Sequence, residues 1–230
     1  MSRINDRDYL YVIWKDYKTR QRYIVGELSK NGKFEFKYRI KDLDKAIEKG
    51  FKPLIAFANI NEVYESYNMF PAFSSRLPDK RRRDIKEILE KYKLEKYDAF
   101  ELLKKSGGKL PIDSLEFIDP IFLDEVNIVR KFYIAGVKYY DYCNGKHTGP
   151  KLELEVNEDI ALIKDSNNRY DEYAVKVMNG KGEFLGFIPS YFSEKVRQAI
   201  NSDRKITCTV INKDCNDTCE ECIKVKLTIV

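Results

Sequence analysis

Histidine is almost absent from this sequence, because His147 is the only one among 230 residues. It lies near Cys143 in a turn-like stretch, but no neighbouring side chain completes a Cys–His catalytic arrangement. Glycine-rich phosphate loops and dinucleotide-binding fingerprints are also missing, since the segment 180–182 is too short for either. We therefore expect a protein that is not an enzyme.

Long apolar runs are missing as well. No segment approaches the roughly 18 apolar residues that a membrane-spanning helix requires. Residues 1–11 are charged and polar, so they lack the apolar centre of a signal peptide. We expect a cytoplasmic protein without a membrane partner.

Cysteines are few, and their odd number, five, does not suit the disulfide framework of a secreted domain. Three of them crowd together at a spacing close to that of zinc ligands, and a fourth ligand is available elsewhere. The candidates are Cys215, Cys219 and Cys222, with Cys208, Cys143 or His147 as the fourth. The pattern allows a zinc site, but it also allows a polar hairpin tip with free thiols and no cofactor.

The residues that are present indicate a folded protein with two modules. Hydrophobic residues make up 43% of the chain, its 16 Tyr and 13 Phe favour strands, and its length suffices for two small cores. The net charge of +5 does not by itself indicate nucleic-acid binding. Residues 76–109, however, hold 12 Lys or Arg against seven Asp or Glu, so the positive charge is concentrated there.

The first half of the chain predicts strands followed by helices. Residues 9–14, 22–28 and 33–38 are rich in β-forming residues, and the turn at Asn31 and Gly32 favours a hairpin, so we expect a β-meander. The apolar spacing from Ile85 to Tyr92 predicts a helix capped by Asp79. A second helix is expected over 97–105, ending before a glycine pair.

A basic run lies at the predicted start of the first of these helices, where positive charge opposes the helix dipole. It consists of Lys80, Arg81, Arg82 and Arg83. The run is either a solvated charged face or a phosphate-contacting patch. Beyond the second helix, prolines and loss of periodicity predict a linker, which gives domains over 1–122 and 127–230.

The second half reads as strands with one helix. The expected strands are 129–140, 159–164, 173–178, 184–188, 206–211 and 223–230. Phe192, Val196 and Ile200 recur at four-residue spacing, which predicts a helix over 190–201. We expect a small, partly closed β-barrel or sandwich, so the whole chain is predicted to be α+β.

Three segments of this half, 135–140, 162–177 and 185–189, resemble in order and spacing the signature of the HIRAN domain. The resemblance implies a DNA-binding pocket for the 3′ end of a single strand. It implies stacking of bases on Tyr139 and Tyr170, and a hydrogen bond from a free 3′ hydroxyl to Asp171. The other site residues that it implies are Lys138 for phosphate, Asn167 and Asn168 for the terminal nucleotide, and Tyr140 and Phe187.

Some features limit what this resemblance implies. Asn167 and Asp171 are also residues that hold loops together through local hydrogen bonds, and both roles stay open. Phe187 and Pro189 stand where phosphate-contacting polar residues are expected, so we expect weak, salt-sensitive binding.

The first 110 or so residues are similar to the N-terminal subdomain of HipA-type toxin kinases. The similarity rests on segments 25–28, 34–38, 53–54, 73–89 and 97–103 with the glycines at 107 and 108. The catalytic lobes of such kinases have no counterpart here, because no kinase catalytic loop or metal-binding Asp motif is present. The similarity implies a HipA-like kinase as a partner.

Two functions remain open. The first is a non-enzymatic adaptor that binds single-stranded DNA 3′ ends through its second half. The second is an interaction protein of a toxin–antitoxin or defence system, associated with a HipA-like kinase. A metal-dependent nuclease finds no support, because no acidic residues form a recognisable metal-binding cluster.

Overall fold

The computed structural model describes residues 8–111, 113–140, 152–214 and 221–230. The chain divides into two compact units, Met1–Pro120 and Ile121–Val230. Each unit is described below by itself. In the part of the chain that the structure describes, no helix has both the length and the apolarity to cross a membrane.

The first unit contains one five-stranded antiparallel sheet. Its strands are β1 (Asp8–Lys15), β2 (Arg22–Asn31), β3 (Lys33–Tyr38), β4 (Tyr64–Ser66) and β5 (Leu115–Ile118), in the order β4-β3-β2-β1-β5. The first three form the predicted meander, and Gly32 turns the chain between β2 and β3 with a φ of 73°. The predicted hairpins are therefore confirmed.

Four α-helices accompany this sheet: α1 (Ile40–Glu48), α2 (Pro71–Ser74), α3 (Ile85–Lys91) and α4 (Ala99–Ser106). A 3-10 turn covers Ile55–Phe57. Five phenylalanines form the centre of the core, and all are almost completely buried: Phe36, Phe57, Phe73, Phe100 and Phe117. Their rings pack edge-on or tilted at centroid distances of 4.4–5.3 Å for the pairs that join Phe36, Phe57, Phe73 and Phe117.

The start of α3 was predicted wrongly. The helix begins at Ile85 with Asp84 in the N-cap position, not after Asp79. Asp79 instead accepts hydrogen bonds from the backbone amide of Arg81 at 2.8 Å and from its guanidinium. The basic run thus precedes the helix, and its charge does not lie on the first helical turn. Helix α4 agrees better with expectation, with Asp98 as N-cap and Gly107 in the left-handed conformation at its end.

A buried arginine ties the loop before β5 to the core of the first unit. The side chain of Arg76 is only 4% exposed and donates to both carboxylate oxygens of Asp113, at 2.5 and 2.6 Å. It also donates to the carbonyl oxygens of Gly108 and Leu115. All three guanidinium nitrogens of this buried cation therefore donate to acceptors, as the cost of burying a charge requires.

Among its described residues, 121–140, 152–214 and 221–230, the second unit contains two three-stranded antiparallel sheets and one α-helix. The first sheet has the order β10-β11-β6, and the second has the order β7-β8-β9. The strands are β6 (Ile128–Tyr133), β7 (Ala161–Lys164), β8 (Val175–Met178), β9 (Phe184–Phe187), β10 (Ile206–Asn212) and β11 (Lys224–Ile229). The helix α5 covers Ser190–Asn201, as predicted.

Two isolated bridges connect the sheets into a ring. Ala135, just beyond β6, pairs with Phe187 of β9 through reciprocal backbone hydrogen bonds of 2.8 and 2.9 Å. On the other side Asp159, just before β7, pairs with Thr209 of β10. The six strands therefore form a barrel whose two seams are short, in agreement with the predicted partly closed barrel.

The predicted long strand over 129–140 is corrected by the structure. Strand β6 ends at Tyr133, and Gly136 adopts a left-handed conformation with φ of 80° that begins a 3-10 turn over Val137–Tyr139. This turn directs the residues after Val137 away from the strand pairing. Val137 itself is buried, whereas Tyr139 is exposed.

Candidate nucleic-acid site

Two segments of the second unit form the candidate site. One is the 3-10 turn with Tyr140, and the other is the loop 165–174 between β7 and β8. We call these residues, together with Phe184 and Phe187 of β9, the tyrosine site. The predicted residues all lie on these two segments or on β9: Lys138, Tyr139, Tyr140, Asn167, Asn168, Tyr170, Asp171 and Phe187.

The loop is held by its own asparagine and aspartate side chains. The Oδ1 atom of Asn168 accepts hydrogen bonds from the backbone amides of Tyr170 and Asp171, at 2.9 and 3.1 Å. Its Nδ2 donates to Asp165 at 3.4 Å. Asn168 therefore orders the loop backbone, which is the local hydrogen bonding expected of asparagine in turns.

Asp171 also takes part in this network, but with one oxygen only. Its Oδ1 accepts from the backbone amide of Tyr173 at 2.9 Å. Among the residues that the structure describes, none donates to its Oδ2. Asn167 is exposed, and its backbone amide donates to Asp165 while its side chain makes no hydrogen bond with another described residue. Asn168 and the Oδ1 atom of Asp171 therefore hold the loop, whereas the Oδ2 atom of Asp171 does not.

The two tyrosines expected to stack differ in how free their rings are. Tyr170 is 88% exposed and Tyr139 is 65% exposed. The Lys138 ammonium lies 4.8 Å from the Tyr139 ring centroid, so one face of that ring already carries a cation. No ring or cation of the described residues packs on Tyr170. Tyr170 is thus the more accessible stacking surface.

Tyr140 joins the two segments to β9. Its ring packs edge-on against Phe184 at 4.5 Å and Phe187 at 6.0 Å. Burial, followed by the nearby charge of Asp165 and the hydroxyl of Tyr170, raises the pKa of Tyr140 above its usual value. These neighbours show that the turn and the loop meet at Tyr140. The half-buried ring of Tyr140 packs the two segments together and offers little surface to a ligand.

The charges beside the site are mostly engaged. Lys176 of β8 pairs with Asp165 at 3.5 Å. Arg197 of α5 donates to the carbonyl oxygen of Glu172 at 2.8 Å and to the Ser166 hydroxyl at 3.1 Å. These contacts fix the loop against the barrel and the helix.

Two residues of the site, Phe184 and Asp165, were not found from the sequence. Phe184 lies on the same outer face as Phe187 because a bulge shifts the register between β8 and β9. Strict alternation would have placed these two rings on opposite faces. Asp165 was also missed, although an Asp that opens an Asn-rich loop is a signal for such turns.

The basic run of the first unit is partly neutralised. Arg81 pairs with Asp79 and Arg82 pairs with Asp84, both through two guanidinium nitrogens. Lys80 and Arg83 are exposed. Exposed ion pairs between near neighbours in the sequence are typical of a solvated charged surface. The role of the basic run in contacting phosphate stays a prediction.

The predicted zinc ligands receive no support from the residues that can be placed. Cys215, Cys219 and the alternatives Cys143 and His147 lie outside the described residues. Cys222 is disulfide-bonded, so its sulfur is not a thiolate ligand. Cys208 is a buried free thiol whose pKa is raised to about 12 by burial and the charge of Asp159. The described part of the chain contains no group of three or more metal-ligating side chains.

The second unit is thus a small six-stranded β-barrel domain with exposed aromatic residues at one edge. Residues 129–229 match the family model of the HIRAN domain. The chain therefore contains a HIRAN domain over these residues, and the predicted resemblance is confirmed for this half. The similarity of the first half to HipA kinases stays a prediction.

Two solved structures are similar to this chain. The crystal structure of the HIRAN domain of human HLTF is 20% identical, with a TM-score of 0.34, and the match covers 45% of this chain and 74% of that one. A protein from Lactobacillus plantarum is 19% identical, with a TM-score of 0.33, over 45% of this chain and 96% of that one. A search of curated proteins found no match.

Proposed function

We propose that the HIRAN domain of this chain binds the 3′ end of single-stranded DNA, and that the protein is a non-enzymatic adaptor. HIRAN domains are known for binding DNA, which supports the general class of ligand. The observation that carries the proposal is the highly exposed Tyr170 beside Asp171, in a loop that its own side chains hold in place.

Stacking supplies the affinity in this proposal. An exposed base stacked on an aromatic ring contributes about 1–3 kcal/mol, and this contribution tolerates any sequence because every base has a π face. Tyr170 offers such a ring without rearrangement. Tyr139 offers one only if the base shares or replaces Lys138 on the ring face.

Selection for an end comes from Asp171. A carboxylate repels the phosphates of an internal stretch of DNA, but it accepts a hydrogen bond from a terminal hydroxyl. The Oδ1 atom of Asp171 is engaged by Tyr173, whereas its Oδ2 receives no donor from the described residues. We assign recognition of the 3′ hydroxyl to Oδ2.

The proposal is tested by titrating fluorescent single strands that end in a 3′ hydroxyl or a 3′ phosphate. We expect the hydroxyl strand to bind more tightly to the unmodified protein. Asp171→Asn keeps the oxygen that accepts from Tyr173 but removes the charge, so it should abolish the preference between the ends. Equal affinity of the unmodified protein for both ends would refute the proposal.

Tyr170→Ala tests the stacking step separately. We expect it to weaken the binding of both strands by roughly 1–3 kcal/mol. Tyr17→Ala, which removes a 68% exposed tyrosine of the first unit, is the matched control and should leave binding unchanged.

A second function, association with a protein partner such as a HipA-like kinase, is favoured by one observation in the first unit. Strand β4 is an edge of its sheet, and exposed apolar side chains lie in the same stretch of chain. Ile55 is 99% exposed, Tyr67 80% and Val63 52%. Exposed apolar residues near a free strand edge are typical of protein-binding surfaces.

This second function is tested by pull-down with a HipA-like kinase as prey. The chain carrying Ile55→Ser and Tyr67→Ser should recover less kinase than the unaltered chain. Failure of the unaltered chain to recover any kinase would count against this partner.

A further inference from the structure

We infer that Arg169 is a phosphate-binding residue of the tyrosine site, in addition to the predicted Lys138. The inference rests on the proposed function, because it assumes that a single strand of DNA stacks on Tyr170. It adds a residue that the HIRAN resemblance did not assign in this chain, and it identifies the group of the ligand that this residue recognises, a backbone phosphate.

The loop places Arg169 at the tip of a turn. The Asn168 side chain accepts from the amides of Tyr170 and Asp171, which encloses Arg169 between the acceptor residue and its first donor. The backbone on both sides of Arg169 is therefore held, while its side chain is exposed. A held backbone lowers the entropy that is lost when the side chain binds a ligand.

Arg169 also differs from the other cations near the loop in its contacts. Lys176 pairs with Asp165, Arg197 donates to Glu172 and Ser166, and Lys138 lies over the Tyr139 ring. Arg169 has no hydrogen bond, ion pair or ring contact with any described residue. Its guanidinium can therefore meet an anion without first breaking an intramolecular pair.

The chemistry of the group fits a phosphodiester. A guanidinium presents a planar set of donors that matches two phosphate oxygens at once. Because Arg169 directly precedes Tyr170, one nucleotide can place its base on the ring and a neighbouring phosphate on the guanidinium. The favourable charge of Arg169 also offsets the repulsion between Asp171 and the DNA backbone.

Salt dependence gives the first test. A single-stranded ligand loses about 0.7 in the slope of log affinity against log salt for each phosphate contact removed. We expect Arg169→Gln to weaken binding severalfold and to reduce the slope by about this amount, whereas Arg169→Lys should retain the slope. Lys226→Gln removes an equal charge at an exposed position of β11 in the other sheet and should leave the slope unchanged.

A neutral methylphosphonate at one backbone position at a time gives the second test. We expect one position near the 3′ end at which the substitution weakens binding to the unaltered protein but not to Arg169→Gln. If the penalty at every position is the same for both proteins, Arg169 does not bind a phosphate.

These outcomes separate this inference from the proposed function. If the unaltered protein prefers the 3′ hydroxyl while Arg169→Gln leaves the salt slope unchanged, only the role of Arg169 is overturned. If the unaltered protein binds no single strand, or binds both ends equally, the proposed function fails and this inference fails with it.

Discussion

Gly186 of β9 lies against Ala135 so closely that a Cβ atom added to Gly186 would be 2.6 Å from the Ala135 carbonyl oxygen. The same atom would be 2.8 Å from the Ile134 side chain, and the φ of Gly186 is 149°. This contact lies next to the bridge that pairs Ala135 with Phe187. The seam of the barrel beside the tyrosine site therefore depends on the absence of a side chain at position 186.

We expect Gly186→Ala to destabilise the second unit by more than about 3 kcal/mol, because backbone strain and a clash with main-chain atoms add together. Gly182→Ala is the control, since Gly182 has a φ of 77° but no atom within 4 Å of the added Cβ. It should cost only about 1 kcal/mol. Hydrogen exchange of the peptide covering β8 and β9 measures both effects, and equal losses would contradict the role of the close contact.

Asn168→Ala is expected to loosen the loop that carries Tyr170. The substitution removes the acceptor of two backbone amides, which should cost about 1 kcal/mol, as the loss of a capping side chain does. Amide exchange of Tyr170 and Asp171 should accelerate, and DNA binding should weaken through the loss of loop order. Asn167→Ala removes an exposed amide without such bonds, so unchanged exchange is expected there.

The stability of the first unit should depend on pH through Asp113. Burial disfavours the charge of Asp113, but hydrogen bonds from Arg76 and Leu115 and the charge of Arg76 outweigh it and lower the pKa. The ionised Asp113 carboxylate therefore stabilises the folded first unit fully at a pH above about 3.9, its pKa in the unfolded chain. This contribution is lost as the pH falls through the lower pKa that Asp113 has in the folded protein.

Asp113→Asn tests this pair. At pH 7 we expect a loss of roughly 3 kcal/mol, because the buried Arg76 keeps its carbonyl partners but loses its counter-charge. The further loss of stability in acid should become smaller than in the unaltered protein. Urea unfolding followed by fluorescence of Trp14, the single tryptophan, reports on the first unit. Asp79→Asn breaks an exposed pair and should change little.

Cys208 should be unreactive while the second unit is folded. With a pKa of about 12, only about one thiol in ten thousand is ionised at pH 8, and the thiolate is the reactive form. We expect iodoacetamide to modify Cys208 in denaturant but not in native buffer, as measured by mass spectrometry of its peptide. Rapid native labelling would show that this thiol is not buried as described.

Strand positions were predictable where side-chain alternation and turn residues agree. The meander β1 to β3 and helix α5 follow from patterns that are local in the sequence. Strand β5 and helix α1 were missed. The four residues of β5 pair with β1 about a hundred positions earlier, and no local signal encodes that pairing.

The sequence predicted which residues form the tyrosine site, but it did not predict the contacts between them. Sequence resemblance named Tyr139 and Tyr170 together, yet only the structure shows that Lys138 lies on one ring and that the other is open. The engagement of Asn168 by backbone amides also depends on the loop conformation. The same residue types could serve a ligand or the loop, and three-dimensional contacts decide between these roles.

The pairing of Ala135 with Phe187 consists of two hydrogen bonds and connects the stretch before the 3-10 turn to β9. Short pairings of this kind open more readily than the strands around them. A ligand that holds the turn and the loop together would slow this opening. The backbone amides of Ala135 and Phe187, which donate to each other's carbonyl oxygens, should then exchange more slowly when the tyrosine site is occupied, and so report its occupancy without any label.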